Sequence, residues 1–295
     1  MRQVDVVQFG DHLCGWGEGL CWDPDTQLLH LVDCLRNVRG ETTLDAPDDL
    51  RLIPTPTLPT KVLLSDKADR HLIVLDDGIF AMAETADAYG QVADMPQASS
   101  GRFNDATVDP AGRIITGNLG LKANTDGSYW SWQGDGGAGN WSTIATKKGN
   151  ANGPCFSNDG RTLYFADSPT GNILRYDYDP ETGTASNETV FANTFELGGG
   201  PDGAAIDTDG YLWSALFGGG VIARYAPDGT LDGTIAVPVR NPTDIVFAGP
   251  NLDRMIVVSA MEQPTDDREP SPLAGASFEI TGAGVTGLPI GKVRL

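Results

Sequence analysis

Four residues spread along the 295-residue chain have the types that hold a hard cation together: Glu18, Asn104, Asn152 and Asp202. Two carboxylates and two carboxamides offer oxygen donors, which divalent ions such as Ca²⁺ accept. Brought together in a dry funnel they require a compensating charge, because like charges are not taken out of water unpaired. They lie far apart in the chain, so the chemistry exists only if the fold converges them.

The elements that would do so recur along the sequence. Glu18, Lys61 with Val62, Asn104, Asn152, Asp202 and Asp244 each precede a tight turn and a short apolar strand. The turns are Asp25-Thr26, Asp69-Arg70, Ala111-Gly112, Asn158-Asp159-Gly160, Asp209-Gly210 and Asn251-Leu252; the strands are LLHLVD, HLIVLD, RIITGNL, TLYFADS, YLWSAL and RMIVVSA. A spacing of roughly 40 to 50 residues built from strands and Gly/Asp turns marks a radial array of β-blades. Six copies predict an all-β, six-bladed β-propeller, with residues 1–295 as one domain. Each copy then starts on the innermost strand of its blade, and the polar residues meet at the mouth of the central channel as a metal site.

Composition agrees and excludes other classes. With 40% apolar residues, Gly 37 and Pro 19, the chain has material for a large core and many turns, and no Pro- or Ser-rich linker divides it. A net charge of −20 argues against nucleic acid and anionic membrane surfaces as partners. No apolar run of membrane-spanning length and no leader-like N-terminus is present, and Cys14, Cys21, Cys34 and Cys155 lack metal-finger spacing. A cytoplasmic protein with buried, reduced thiols is the expectation. The histidines His12, His30 and His71 form no HExxH or HxH, and no GxSxG, P-loop or dinucleotide fingerprint occurs. The Asp-Gly segments between strands are hairpin turns rather than EF-hand loops, since none closes on the required glutamate.

At this point the residues resemble a family. GEG at 17–19, RFNDATVDPAGR at 102–113, NGPCFSNDGRTLYFADSPTGNILRYDYDPETG at 152–183 and PDGAAIDTDGYLW at 201–213 look like the SMP-30/gluconolactonase/regucalcin (LRE-like) family. The resemblance implies a propeller that holds one divalent cation and hydrolyses sugar lactones. It implies Glu18, Asn152 and Asp202 as metal ligands, and Arg102 and Asn104 as substrate contacts. Ca²⁺, Zn²⁺, Mg²⁺, Mn²⁺ and Fe²⁺ all suit such a donor set. Asp202 is the candidate acceptor of the proton from an attacking water. The expected substrate is a small sugar lactone, such as glucono-, xylono- or arabinonolactone. A promiscuous esterase or phosphotriesterase and a non-enzymatic calcium- or ligand-binding propeller are the alternatives.

Some assignments have plainer competitors. Glu18 and Asp202 could cap backbone N–H groups, Asn152 could form a turn, Asn104 could brace backbone, and Arg102 could serve a surface ion pair. Several family members carry an acidic residue where Lys122 stands here, so Lys122 is a candidate substrate contact of altered charge, or else a solvated lysine. The hairpin from Trp130 to Trp141 either folds over the channel mouth or packs between blades.

Overall fold

The computed structural model describes residues 4–295 except 68–69, 84, 98, 123–125, 135–139 and 265–268. The chain opens with β1 (Asp5–Leu13). The first blade is then β2 (Gly17–Asp23), β3 (Leu28–Asp33), β4 (Val38–Thr43) and β5 (Ala46–Pro54). The second is β6 (Pro59–Leu63), β7 (Leu72–Leu75), β8 (Gly78–Ala81) and β9 (Gly90–Asp94). The third is β10 (Arg102–Val108), β11 (Ile114–Leu119), β12 (Gly127–Gln133) and β13 (Asn140–Lys148). The fourth is β14 (Ala151–Phe156), β15 (Thr162–Asp167), β16 (Asn172–Asp179) and β17 (Thr184–Asn193). The fifth is β18 (Gly200–Ile206), β19 (Leu212–Phe217), β20 (Val221–Tyr225) and β21 (Leu231–Ala236). β22 (Pro242–Ala248), β23 (Arg254–Ser259) and β24 (Ala276–Thr281) complete the set.

These strands form six four-stranded antiparallel sheets, and the six expected apolar strands are the second strand of each blade. The turn expected at Asp69-Arg70 includes Asp69, which lies outside the described residues. In the last sheet β1 pairs with β24, Val6 opposite Ile280, so the two ends of the chain share one ladder. Opening the ring would therefore break that ladder. The inner strands β2, β6, β10, β14, β18 and β22 adjoin in turn around the axis, β22 beside β2.

Between blades the core is apolar. Trp213, Ile222 and Ile235 of the fifth sheet pack on Phe247, Val257 and Phe278 of the last. Trp130 and Trp132 are buried with Leu63, Leu72, Phe103 and Ile114 between the second and third blades, not over the channel. The reason is their strand: β12 is the third strand out from the axis, and its side chains point into the inter-blade seam. All four cysteines are free and buried.

His71 and His30 differ in environment. His71 Nδ1 accepts the N–H of Ser65 at 3.2 Å, and its Nε2 lies 3.4 Å from Asp23. His30 is buried, with neither ring nitrogen hydrogen-bonded among the described residues and Glu41 3.9 Å away. Burial pushes the His30 pKa from 6.5 down to about 4, against the opposing pull of Glu41. Between those values the unfolded chain takes a proton that the folded chain refuses, so this contribution is lost as pH falls below 6.5. We expect the loss on going from pH 6.5 to 4.5 to be about 2 kcal/mol larger for the wild type than for His30→Leu in urea melts. Equal losses would show that His30 is not the group responsible.

Candidate functional site

Each inner strand departs from regular pairing where it enters the channel: between Glu18 and Cys21, Pro59 and Lys61, Phe103 and Ala106, Asn152 and Cys155, Pro201 and Ala204, and Pro242 and Asp244. Such a bulge re-aims side chains and lets two consecutive residues project toward the axis. The result is two tiers. The upper one carries Glu18, Asn104, Asn152 and Asp202; the lower one carries Lys61, Asp105 and Asp244. In the second and sixth blades the residue that the bulge adds is Thr60 or Thr243, and the Lys61 ammonium that follows the first of these reaches both Asp244 and Asp105. The matching contacts support this placement: Asp105 Oδ1 accepts the N–H of Ala106 at 2.7 Å, and Asp244 Oδ1 that of Ile245 at 2.8 Å.

The upper tier is a connected constellation. Asn104 Nδ2 donates to Asn152 Oδ1 and, at 2.9 Å, to the carbonyl of Ala151. Asn152 Nδ2 donates to Ser168 Oγ at 2.8 Å, and that hydroxyl donates to the Pro201 carbonyl at 2.6 Å. Asn104 thus braces backbone and fixes Asn152 at once. Trp16 Nε1 donates to Glu18 Oε1 at 3.3 Å, while its ring stacks on Phe217 with centroids 5.4 Å apart. The loop holding Trp16 is organised by the buried Asp33, whose carboxylate accepts N–H groups of Gly15, Trp16 and Leu35 and the Arg36 guanidinium. His12, Cys14 and Asp33 lie close enough to hold an ion, but Asp33 is already paired in this way.

The two tiers differ in how their carboxylates are satisfied. Asp105 accepts N–H groups from Ala106 and Gly153, and Asp244 from Leu20 and Ile245. Lys61 Nζ adds 2.8 Å to Asp244 and 3.6 Å to Asp105. Glu18 has the long indole contact, and Asp202 the N–H of Gly203 beside it. Burial first, then the neighbouring carboxylates, raises the Glu18 and Asp202 pKa values well above the ordinary range. For Lys61 burial acts downward, but Asp105 and Asp244 outweigh it and hold the ammonium charged.

This scarcity of donors among the described residues is what a cation position requires. Glu18, Asn152 and Asp202 present two carboxyl groups and a carboxamide oxygen from separate blades, leaving room for further ligands. The donor set fits a divalent cation. Arg102 heads β10, half-buried, its Nη1 donating to the Phe103 carbonyl at 2.9 Å. The Cys34 thiol is raised first by burial and then by Glu18, and is pulled back by Arg102. Lys122 is exposed, its backbone N–H held by Asp126 at 3.0 Å. Asp126 also accepts the Ser100 hydroxyl at 2.8 Å, so the third-blade loop does contain a fixed carboxylate, four residues beyond Lys122. A cavity of about 350 Å³ lies beyond the lower tier, lined by Lys61, Asp105, Ile206, Val246 and the C-terminal segment Leu288–Gly291; no upper-tier residue touches it.

Glu18, Asn104, Asn152 and Asp202 therefore meet as the sequence leads one to expect. The lower tier was less legible. Lys61 and Asp244 stood in the repeat, but residue order does not pair them, and Asp105 carried no signal beyond its place after Asn104.

A six-bladed propeller with a donor-poor acidic mouth defines the class. Residues 16–261 match the family described as SMP-30/Gluconolactonase/LRE-like region, and the chain belongs to that family. It is 31% identical to pentonolactonase XacC of Haloferax volcanii, over 97% of each chain. It is 34% identical to a 6-deoxy-6-sulfogluconolactonase of Pseudomonas putida over 89% of each. The crystal structure of regucalcin from Agrobacterium tumefaciens, described as a calcium-binding protein, superposes with a TM-score of 0.88 at 27% identity, covering 98% of this chain and 97% of that one.

The contrast between tiers has a measurable consequence. In excess chelator, Glu18→Gln and Asp202→Asn remove repulsion without removing a pair, so their melting temperatures should equal or exceed the wild type's. Asp244→Asn strips the Lys61 partner and should cost about 3 kcal/mol, roughly 5–10 °C. Calorimetry checks this; destabilisation by the upper-tier changes as large as that of Asp244→Asn would contradict the donor-poor description.

Proposed function

We propose that the protein is a divalent-metal-dependent hydrolase that opens sugar lactones to the corresponding acids, with Glu18, Asn152 and Asp202 as the metal ligands. The observation that carries this reading is the pair of donor-poor carboxylates, Glu18 and Asp202, beside the braced Asn104–Asn152 couple at the mouth. The names of its relatives support the substrate class: one is a pentonolactonase and another a sulfogluconolactonase.

A cation bound there would supply Lewis acidity to an ester carbonyl. The side chains do the rest. Asp202 would help hold the cation, and a carboxylate oxygen not used for that would accept a proton from the attacking water. Arg102 offers N–H donors, and Asn104, whose two amide N–H groups are both engaged, offers its carbonyl oxygen as an acceptor; together they orient the sugar hydroxyls, so the carbonyl carbon faces that water. Asn104 can do so only within the limits of its bonds to Ala151 and Asn152, which fixes the direction of its amide.

Assays on an aldonolactone panel, with and without chelator, test the proposal directly. Glu18→Gln should lose metal and activity together and recover part of the activity at saturating Mn²⁺. Asp202→Asn should stay about 10³-fold below wild type even when metal content is restored, because a base is missing as well as a ligand. Asn152→Ala should weaken metal binding less than either carboxylate change. Arg102→Ala should lower kcat/KM about 100-fold with metal content unchanged; loss of metal with activity would make its role structural. Metal binding without turnover on lactones, esters or phosphotriesters would instead favour a cation-binding propeller; the Agrobacterium protein is described as calcium-binding.

Substrate charge is a finer question. Lys122 and Asp126 stand on one loop with opposite signs. If Lys122 reaches the substrate, Lys122→Glu should lower kcat/KM for an acidic lactone relative to a neutral one by about 10-fold at low salt, and less at high salt. An unchanged ratio would remove Lys122 from specificity.

A further inference from the structure

The lower tier has the form of a cation site that is already filled. Asp105 and Asp244 project from the third and sixth blades toward the axis, and the Lys61 ammonium lies between them, 2.8 Å from Asp244 Oδ2 and 3.6 Å from Asp105 Oδ1. We propose that this tier is a second cation position whose resident cation is the Lys61 side chain. The channel is then built for two cations, of which only the one at the mouth is exchangeable.

Neither carboxylate owes its place to the lysine. Asp105 is aimed by the N–H groups of Ala106 and Gly153, at 2.7 and 2.9 Å. Asp244 is aimed by those of Ile245 and Leu20, at 2.8 and 2.9 Å. Two of these donors, on Gly153 and Leu20, come from neighbouring blades. Gly203 makes the space, since a Cβ there would lie 2.2 Å from Asp244 Oδ1. The oxygens are thus held in position by backbone that remains when the lysine is shortened or neutralised. Each retains lone-pair capacity for a cation.

The charge balance points the same way. Glu18 and Asp202 above and Asp105 and Asp244 below place four carboxylates in one channel, three of them buried. A divalent ion at the mouth leaves the lower pair uncompensated unless Lys61 supplies its charge. A tethered ammonium needs no free ion to fill it and cannot diffuse away. Without it, two preorganised carboxylates should recruit an oxygen-seeking divalent ion, with water completing its coordination.

The inference goes beyond the lactonase reading and is tested apart from it. The full-length wild type, Lys61→Met and Lys61→Met/Asp244→Asn are equilibrated with excess MnCl₂, exchanged into metal-free buffer, and assayed for bound Mn²⁺ by plasma mass spectrometry. Lys61→Met should hold about one Mn²⁺ per chain more than the wild type, and the double variant should lose that gain. The difference between proteins decides the matter: a wild type that retained no Mn²⁺ would sink the mouth assignment and leave this comparison intact. A folded Lys61→Met with no added Mn²⁺ overturns the proposal. Should Lys61→Met be unfolded in chelator, Mn²⁺ is expected to restore a cooperative melt; a chain unfolded at every Mn²⁺ concentration overturns it too.

Discussion

Six strands converging on one axis leave space for few side chains, and in this protein that space is given to charge. Acidic side chains from four inner strands, and an ammonium from a fifth, occupy a channel that apolar seams surround on every side. Everything at the site follows from keeping those charges compatible. Backbone N–H groups fix one pair of carboxylates and a lysine offsets one of their two charges, while a second pair, Glu18 and Asp202, has few donors among the described residues.

The seams make this possible. Burying the inter-blade side chains stabilises the ring by about 1.5–3 kcal/mol for each large residue taken fully from water. Repulsion at the axis works against that total. A closed ring, latched where β1 joins β24, spreads the opposing force over all six blades. No single strand can retreat from the channel without disrupting its neighbours. Local frustration at the mouth is thereby held in place by packing elsewhere, as expected where strain serves binding.

The bulges set the division of labour. Asn104 and Asp105 are consecutive, yet one braces Asn152 at the mouth while the other reaches Lys61 and the cavity below. In a regular strand they would point to opposite faces. A polar pair that reads as one feature in the chain therefore acts at two depths. Pushing Gly153 into a positive φ of 48° has a related effect, since its N–H is what holds Asp105.

Much of this was legible from residue order alone. Alternating turn and strand at blade spacing sets the number of sheets, because each copy is too short to bury its faces without neighbours. The upper-tier residues were visible because each opens its copy with an oxygen donor. The buried fate of Trp130 and Trp132 was left undecided, since period-2 alternation puts them on one face without saying which neighbour that face meets. Depth in the channel was likewise beyond the sequence. Asp244 opens its copy as Glu18 does, yet it pairs with Lys61, 183 residues away along the chain, and residue order does not point to that partner. Residue types and their period determine which groups reach the axis; only the assembled ring, through bulge register and the amides it aims, decides which charges meet.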